Sequence, residues 1–249
     1  MTMQIGLQTF TIRKLLTPET LDETFAKIAA MGIENLELAV DYFSMPFTLE
    51  TAKTVREAAN RQSLQVRSCQ IKYATSAANI DLTAAYMHAL GAKILTNSVI
   101  DLKALALGRG ALLRYCEKLG RLQEKLAAQS IMLAHHNHNY EFKRIGKQSA
   151  LLFMAENSAL DFVLDTYWTK LAGGDILALL GALKDRVPVM HLRGCDGKGD
   201  CEVGRGEIDF SQVLRAAEVS GVCFGMIEQR TKTPLESVKI SLQGVNHAI

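Results

Sequence analysis

The amino-acid sequence predicts an α/β fold: a single (β/α)8 TIM barrel that spans residues 1–249 as one domain. Short apolar or β-branched segments alternate with longer segments of helical period, and this alternation repeats eight times without a linker or low-complexity segment. Eight βα units in a chain of this length fit one closed barrel better than an open doubly wound sheet. No GxGxxG pattern follows the first strand, which disfavours a dinucleotide-binding fold.

The predicted elements come at regular intervals along the chain. Each strand is short and rich in apolar residues, and in most units the following segment repeats apolar residues every three or four positions. The strands are predicted at 4–10, 35–40, 64–70, 93–97, 131–136, 162–165, 187–192 and 223–228. Between and after them, helices are predicted at about 17–31, 48–62, 77–90, 103–129, 149–156, 175–183, 209–220 and from 233 onward.

Capping signals mark several helix ends. Thr17-Pro18-Glu19 predicts the start of the first helix, because threonine can cap and proline suits the first helical position. Gly32 and Gly91 are predicted to end the helices that precede them. The segment 233–236, Thr-Pro-Leu-Glu, has the form of a capping box around a first-turn proline and predicts the start of the last helix.

Composition is that of an ordinary globular protein. Hydrophobic residues make up 48% of the chain, charged residues 22%, and the net charge is +2. Nothing in this balance calls for nucleic acid as a partner, and no apolar segment reaches membrane-spanning length. The chain begins without a secretory signal, and its five cysteines form no CxxC pair. These features predict reduced thiols and a cytoplasmic location.

Carboxylates and imidazoles cluster at the predicted carboxyl ends of the strands, where barrels of this kind carry their active sites. In chain order these polar residues are Glu37, His135, His136, Asn137, His138, Asp165, His191, Arg193, Asp196 and Glu228. A single aspartate or histidine at a strand end is usually a helix cap or a structural hydrogen-bonding group. Four consecutive strands that each supply one are hard to explain in that way. A mixed oxygen and nitrogen donor set without cysteine suits Mn²⁺, Mg²⁺, Co²⁺ or Zn²⁺.

Seven segments of the chain, in order, resemble the sugar phosphate isomerase/epimerase family, whose members are xylose isomerase-like TIM barrels, and in particular its HNH-type subgroup. The segments are GLQTFTIR (6–13), HNHNYEF (136–142), LDTYW (164–168), AGGD (172–175), HLRGCD (191–196), VGRGEIDF (203–210) and IEQ (227–229). The resemblance covers nearly the whole chain, and it is specific for the family but not for one activity within it.

The resemblance implies one divalent metal ion held by Asp165, His191 and Glu228, with a fourth ligand from the end of strand five. Epimerases of this superfamily have glutamate at that fourth place, whereas this chain has His136. The two-glutamate epimerase mechanism therefore does not carry over. A second departure is Arg193, where the related motif usually has lysine; arginine keeps the charge but offers a wider fork of donors.

The expected activity is that of a metal-dependent isomerase or epimerase of carbohydrate metabolism. It acts on a keto sugar or sugar-like polyol by proton abstraction next to a carbonyl. Glu228 is predicted to be both ligand and base, with Glu141 and His138 as candidates for the second proton-transfer group and Glu37 as a further one. Substrate contacts are predicted for Gln8, Glu37, Asn137, Trp168 and Arg193.

Three other functions are alternatives to this one. A metal-dependent lyase or dehydratase acting on an inosose or 3-ketoglycoside begins with the same proton abstraction. An endonuclease IV-like nuclease needs three zinc ions and more histidines than the four that remain once His88 and His247 are set aside. A non-catalytic sugar-binding barrel has little use for ligand-quality residues at four strand ends.

The glycine-rich segment 194–206 carries Lys198 and Arg205 and has two interpretations. It is either a mobile loop over the substrate that contacts a phosphate, or an exposed loop whose glycines permit turns. The expected partner is a small-molecule carbohydrate, with no nucleic acid and no membrane. A homodimer is the default expectation for the assembly.

Overall fold

Eight parallel strands close into a barrel in the computed structural model, which describes residues 2–249. The strands are β1 (Gln4–Gln8), β2 (Asn35–Ala39), β3 (Gln65–Ile71), β4 (Ile94–Asn97), β5 (Met132–His136), β6 (Asp161–Asp165), β7 (Val189–Leu192) and β8 (Phe224–Ile227). Each strand pairs with its neighbours in chain order, and β8 closes the ring against β1. The barrel predicted from the sequence is confirmed.

Helices follow the strands and cover the outside of the barrel. They are α1 (Leu21–Ala29), α2 (Leu49–Arg61), α3 (Tyr73–Ala78), α4 (Ile80–Leu90), α5 (Leu102–Leu107), α6 (Arg109–Ala127), α7 (Ala150–Glu156), α8 (Thr166–Leu171), α9 (Ile176–Ala182), α10 (Phe210–Val219) and α11 (Pro234–Ala248). A large apolar core joins their inner faces to the strands. A smaller cluster lies inside the barrel and consists of Ile94, Ala134, Val163, Val189 and Met226, with Phe224 packed against it.

Two helix starts differ from the prediction. Helix α1 begins at Leu21, later than the predicted start at Thr17, and the Thr20 side chain before it makes no capping bond. Thr17 lies in the turn that leads into the helix: its carbonyl accepts a hydrogen bond from the Leu21 N–H at 3.0 Å, and its hydroxyl is 3.0 Å from that of Thr20. At α11, Pro234 occupies the first turn as predicted, but the Thr233 side chain makes no capping bond, so the capping box does not form.

Two predicted helices are each interrupted once. Gly108, with φ of +85°, separates α5 from α6 within the segment predicted as one helix over 103–129. This is a backbone conformation that glycine adopts without steric cost. Asn79 separates α3 from α4 and caps α4 by accepting a hydrogen bond from the Leu82 N–H. Gly91 ends α4 as its C-cap with positive φ, as predicted, whereas α1 ends at Ala29 with Ala30 as C-cap and Gly32, also at positive φ, lies in the turn that follows.

The glycine-rich segment folds into a short hairpin. Gly194–Cys195 pairs antiparallel with Asp200–Cys201, and Asp196 Oδ1 accepts hydrogen bonds from two backbone N–H groups of the turn. All five cysteines of the chain are unpaired, in agreement with the prediction of reduced thiols. None of the helices described over residues 2–249 is both long and apolar enough to cross a membrane.

Candidate metal centre

Four polar side chains point into the barrel at the carboxyl ends of its strands. Each of them follows, by two positions, a residue of the small internal cluster. The pairs are Ala134 and His136, Val163 and Asp165, Val189 and His191, and Met226 and Glu228. Because side chains alternate between the two faces of a strand, residues two apart face the same way. The strand periodicity therefore directs these four side chains into the barrel.

The four side chains meet closely. One donor atom from each of His136, Asp165, His191 and Glu228 lies within 4.8 Å of the other three. His191 Nδ1 is 2.8 Å from Glu228 Oε2 and 3.9 Å from Asp165 Oδ2, and His136 Nε2 is 3.6 Å from that same oxygen. No other group of three or more His, Cys, Asp or Glu side chains over residues 2–249 comes together in this way.

This group fits one divalent metal ion. Neither ring nitrogen of His136 has a hydrogen-bond partner, although the side chain is buried. Buried polar atoms normally have a partner, so a bare imidazole here indicates a ligand. Two imidazoles and two carboxylates form the mixed donor set that first-row divalent ions accept. The two carboxylates also neutralise the double charge of such an ion.

The surrounding charges keep both carboxylates ionised. Burial by itself would raise the pKa of Asp165 and of Glu228, but Arg193 and the neighbouring histidines outweigh it, so the pKa of Asp165 is lowered and that of Glu228 lies well below its usual range. Burial also opposes a charge on His191, yet Glu37 and Glu228 raise its pKa to about 10. The carboxylates are thus in the form that binds a cation. His191 would have to lose its proton to hold a metal ion here.

Glu37 lies behind His191, deep in the barrel. Its Oε1 is 2.7 Å from His191 Nε2, and its Oε2 accepts hydrogen bonds from Ser68 and Thr96. With Nε2 held in this way, Nδ1 is the nitrogen that faces the other donors, an arrangement common to metal-binding histidines. The sequence-based prediction of substrate contact for Glu37 does not agree with this geometry, because both of its oxygens are used inside the barrel. Its role here is to position His191.

Arg193 contacts the carboxylates of the cluster. Its Nη1 is 3.3 Å from Asp165 Oδ2 and 3.5 Å from Glu228 Oε1, while Nη2 is 2.5 Å from Asp200 Oδ2. The side chain is only 2% exposed. The substrate contact predicted from the sequence would therefore have to come through Nε, which has no hydrogen-bond partner. Asp200 was not predicted from the sequence, because it lies in the hairpin of the glycine-rich segment, where no strand pattern marks it.

Asp165 combines two roles that the sequence left as alternatives. Its Oδ1 caps α8 by accepting a hydrogen bond from the Trp168 N–H at 2.8 Å, while Oδ2 faces the cluster. Asn137 supports it: the Asn137 Oδ1 accepts a hydrogen bond from the Asp165 N–H at 3.0 Å. Asn137 is 1% exposed. It therefore ties β5 to β6, and the substrate contact predicted for it does not agree with its position.

Gln8 is likewise committed to internal contacts. Its Nε2 donates to Gln70 Oε1, and its Oε1 accepts a hydrogen bond from the Phe10 N–H at 2.5 Å. Since the side chain is fully buried, the predicted substrate contact is not supported. These contacts fix the backbone at Phe10, which lies in the loop after β1.

His138 and Trp168 line the mouth above the cluster. The His138 ring centre is 4.7 Å from that of His136 and 5.1 Å from that of Trp168. Burial, together with His136, lowers the pKa of His138 to about 3, so the imidazole is neutral at neutral pH. Its Nδ1 has no hydrogen-bond partner. A neutral imidazole can accept a proton, and its low pKa makes this one a weak base.

Glu141 holds the segment that carries His138. One of its oxygens accepts a hydrogen bond from the His138 N–H at 2.9 Å, and the other lies 3.2 Å from His135 Nε2. His135 faces away from the barrel interior and contacts Asn97 at 2.9 Å through Nδ1. Glu141 is fully buried, and both of its oxygens are engaged. The proton-transfer role predicted for it is therefore less compatible with this geometry than a positioning role.

Comparisons with known proteins agree with this architecture. A family model described as xylose isomerase-like TIM barrel matches residues 25–237 of the chain. No curated protein matches the chain significantly.

Solved structures share the fold along the whole chain. A sugar phosphate isomerase/epimerase from Parabacteroides distasonis has a TM-score of 0.82 at 17% identity, with 100% of this chain and 96% of that chain covered. The 3-keto-D-glucoside 4-epimerase of E. coli has a TM-score of 0.71 at 16% identity, with 99% and 100% covered. A probable 3-DHS dehydratase from Bacillus anthracis has a TM-score of 0.74 at 11% identity, with 98% and 99% covered.

Proposed function

We propose, from the premise that this chain belongs to the xylose isomerase-like TIM barrel family, that it is a divalent-metal-dependent isomerase or epimerase of a keto sugar or sugar-like polyol. The observation that carries the proposal is the convergence of His136, Asp165, His191 and Glu228 at the carboxyl end of the barrel. The sugar isomerases and epimerases among the proteins of similar fold support the choice of substrate class.

The four converging side chains would hold the ion: Mn²⁺, Mg²⁺, Co²⁺ or Zn²⁺. When bound, such an ion polarises a substrate carbonyl and lowers the pKa of the adjacent C–H group. Glu37 and Arg193 prepare the donors for it. Glu37 fixes the ring orientation of His191, and Arg193 holds the two carboxylates ionised and apart.

Glu228 and His138 are the two groups we assign to proton transfer. Glu228 is kept as a carboxylate by Arg193 and His191, so it is in the form of a base. His138 lies beside His136 at the mouth with a neutral imidazole, which is the form of a base, and its lowered pKa makes that base a weak one. A carboxylate and an imidazole from different strands supply the two proton-transfer groups that a change of configuration or of carbonyl position needs.

Aromatic rings on either side of His138 support sugar binding. The Tyr140 ring stacks on His138 with centres 5.6 Å apart, and Trp168 lies 5.1 Å away from it. Both rings are partly exposed at the mouth. Flat aromatic faces pack against the C–H groups of a sugar and keep water away from the reacting carbon.

Elimination is the second candidate reaction. A lyase or dehydratase acting on an inosose or 3-ketoglycoside uses the same proton abstraction and then expels a group from the neighbouring carbon. A probable 3-DHS dehydratase from Bacillus anthracis has a similar fold, which supports elimination as the second candidate. Here His138, once it has taken the proton from carbon, would give it to the leaving group instead of returning it to carbon.

Two measurements test the proposal. Elemental analysis of protein supplied with each of the four metals is expected to find one equivalent bound. Proton NMR in D₂O with a panel of keto sugars, inososes and 3-ketoglycosides is expected to reveal deuterium incorporation with retention of formula, whereas loss of water or aglycone indicates elimination. Failure of every metal to bind, or metal-loaded protein that exchanges no proton of any substrate in the panel, contradicts the proposal.

A further inference from the structure

We infer that the mouth of the barrel selects a sugar that carries an anionic group, a phosphate or a carboxylate, bound between Arg13 and Arg230. The inference rests on the proposed function, because it assigns a place to the far end of a sugar whose carbonyl lies at the metal centre. The residues that carry it come from the loops after β1, β6 and β8.

Two guanidinium groups share one aromatic ring at this mouth. Arg13 lies over Phe10 with its guanidinium carbon 3.7 Å from the ring centre, and the guanidinium carbon of Arg230 is 5.9 Å from the same centre. Arg230 is also 5.9 Å from the ring centre of Trp168. We call this group the Arg13–Phe10–Arg230 cluster. Two cations near one ring repel each other, so an anion bound beside that ring would relieve the repulsion.

Neither guanidinium of the cluster is neutralised by the protein. Over residues 2–249, no carboxylate oxygen comes within 4.0 Å of a side-chain nitrogen of Arg13 or Arg230. The nearby Asp200 is already engaged: its Oδ2 contacts Arg193 Nη2 at 2.5 Å and accepts a hydrogen bond from the Arg230 backbone N–H at 2.9 Å. Arg13 uses one side-chain donor, Nη1, on the Phe10 carbonyl. The other donors are free to bind a ligand.

The cluster lies one ring beyond the proposed proton-transfer group. The ring of His138 is 4.7 Å from that of His136 and 5.1 Å from that of Trp168, and Trp168 is 5.9 Å from Arg230. His138 and Trp168 thus form a wall of rings between the metal centre and Arg230. A sugar lying along this wall would direct its far end to Arg230. The internal contacts of Gln8 fix the backbone of Phe10, whose ring both guanidinium groups share.

The chain provides its own reporter for this test. Trp168 is the single tryptophan, so the intrinsic tryptophan fluorescence comes from the wall beside Arg230. We would titrate Mg²⁺-loaded protein with ketopentoses and ketohexoses, their terminal phosphates, the corresponding ketouronates and inorganic phosphate. The variants are Arg230→Gln, Arg230→Lys and Arg13→Gln. Arg205→Gln tests the glycine-rich segment, and Arg121→Gln on the exposed face of α6 is the matched control.

We expect the best anionic sugar to bind at least about tenfold more tightly than its neutral parent, as a charge-assisted hydrogen bond allows. Arg230→Gln and Arg13→Gln should remove most of this gain and leave the affinity for the neutral parent unchanged, while Arg230→Lys keeps part of it. Arg121→Gln should keep all of it. The phosphate and ketouronate arms identify which anion is preferred, and inorganic phosphate is expected to bind more weakly than the complete sugar phosphate.

Equal affinity for charged and neutral sugars, or no binding by any anionic sugar, overturns the inference. So does a preference that survives both arginine variants or disappears in Arg205→Gln, since the anion would then lie elsewhere. Metal content and deuterium exchange, measured on the same samples, separate the two proposals. Deuterium exchange with neutral sugars but no preference for anionic sugars would contradict only the role of the Arg13–Phe10–Arg230 cluster. A preference for anionic sugars without bound metal or deuterium exchange would contradict only the proposed reaction.

Discussion

Glu37 Oε1 lies 2.7 Å from His191 Nε2, and both side chains are fully buried inside the barrel. The carboxylate selects the nitrogen that the imidazole offers to the other donors. Replacing Glu37 by Gln keeps the volume but removes the charge. We expect the metal dissociation constant to rise roughly 10- to 100-fold, as is usual when an outer-shell partner is lost. Competition with a chelator of known affinity measures the change.

The control for this change is Glu34→Gln, a substitution at an exposed carboxylate just before β2 that leaves His191 untouched. Its metal affinity should equal that of the unaltered protein. An unchanged affinity in Glu37→Gln would mean that the buried carboxylate does not orient the ligand.

Asp165 and Asp175 offer a matched pair, since each caps a short helix through one carboxylate oxygen. Only Asp165 also faces the metal centre. We expect Asp165→Ala to weaken metal binding by more than the roughly 100-fold upper end for outer-shell changes. Asp175→Ala should bind metal normally and lose only about 1 kcal/mol of stability. Elemental analysis and chemical denaturation measure the two effects. Normal metal content in Asp165→Ala would contradict the ligand assignment.

Arg193 and the metal ion act on the same two carboxylates, Asp165 and Glu228. Arg193→Met should therefore destabilise the metal-free protein by about 3–5 kcal/mol, because buried carboxylates lose their cation. Adding metal should raise the melting temperature more in this variant than in the unaltered protein, since the ion supplies part of the missing charge. Differential scanning calorimetry with and without metal measures both. Equal shifts would argue against charge sharing.

His138 is expected to matter for proton transfer and not for metal binding. His138→Asn should lower the rate of deuterium exchange by at least about 100-fold, within the range for loss of a general acid or base. Metal content should stay at one equivalent. His88→Asn, at an exposed position of α4, is the control and should exchange at the normal rate. Loss of metal in His138→Asn would instead indicate a ligand.

The barrel and the four converging donors were accessible from sequence because both depend on regular spacing. Eight βα units indicate the fold, the strand ends locate a larger set of polar candidates, and the resemblance to the sugar phosphate isomerase/epimerase family selects His136, Asp165, His191 and Glu228 among them. The roles of Glu37, Asn137 and Gln8 were not accessible in the same way. A polar residue at a strand end has the same appearance in sequence whether it meets a ligand or a neighbouring side chain. Only the three-dimensional neighbours distinguish the two cases.

Local ambiguity explains the remaining differences. The Thr17-Pro18-Glu19 pattern marks the turn that leads into α1, where the Leu21 N–H donates to the Thr17 carbonyl, but it does not mark the residue at which the regular helix begins. Asp200 contacts Arg193 from a hairpin, and no periodic pattern in the sequence indicates the strand pairing of that hairpin. These contacts depend on how separate loops meet, which a single sequence does not encode in its spacing.

The two-residue step between the internal apolar cluster and the donors has a consequence for sequence change at this site. Inserting one residue before the donor in β5, β6, β7 or β8 would turn that donor toward the helices and bring the residue before it into the barrel. In β6, β7 and β8 the residue before the donor is Leu164, Met190 or Ile227, none of which offers an oxygen or nitrogen donor in its side chain. In β5 it is His135, a second imidazole. An insertion in β6, β7 or β8 would therefore remove one donor from the site, whereas an insertion in β5 would replace one imidazole by another.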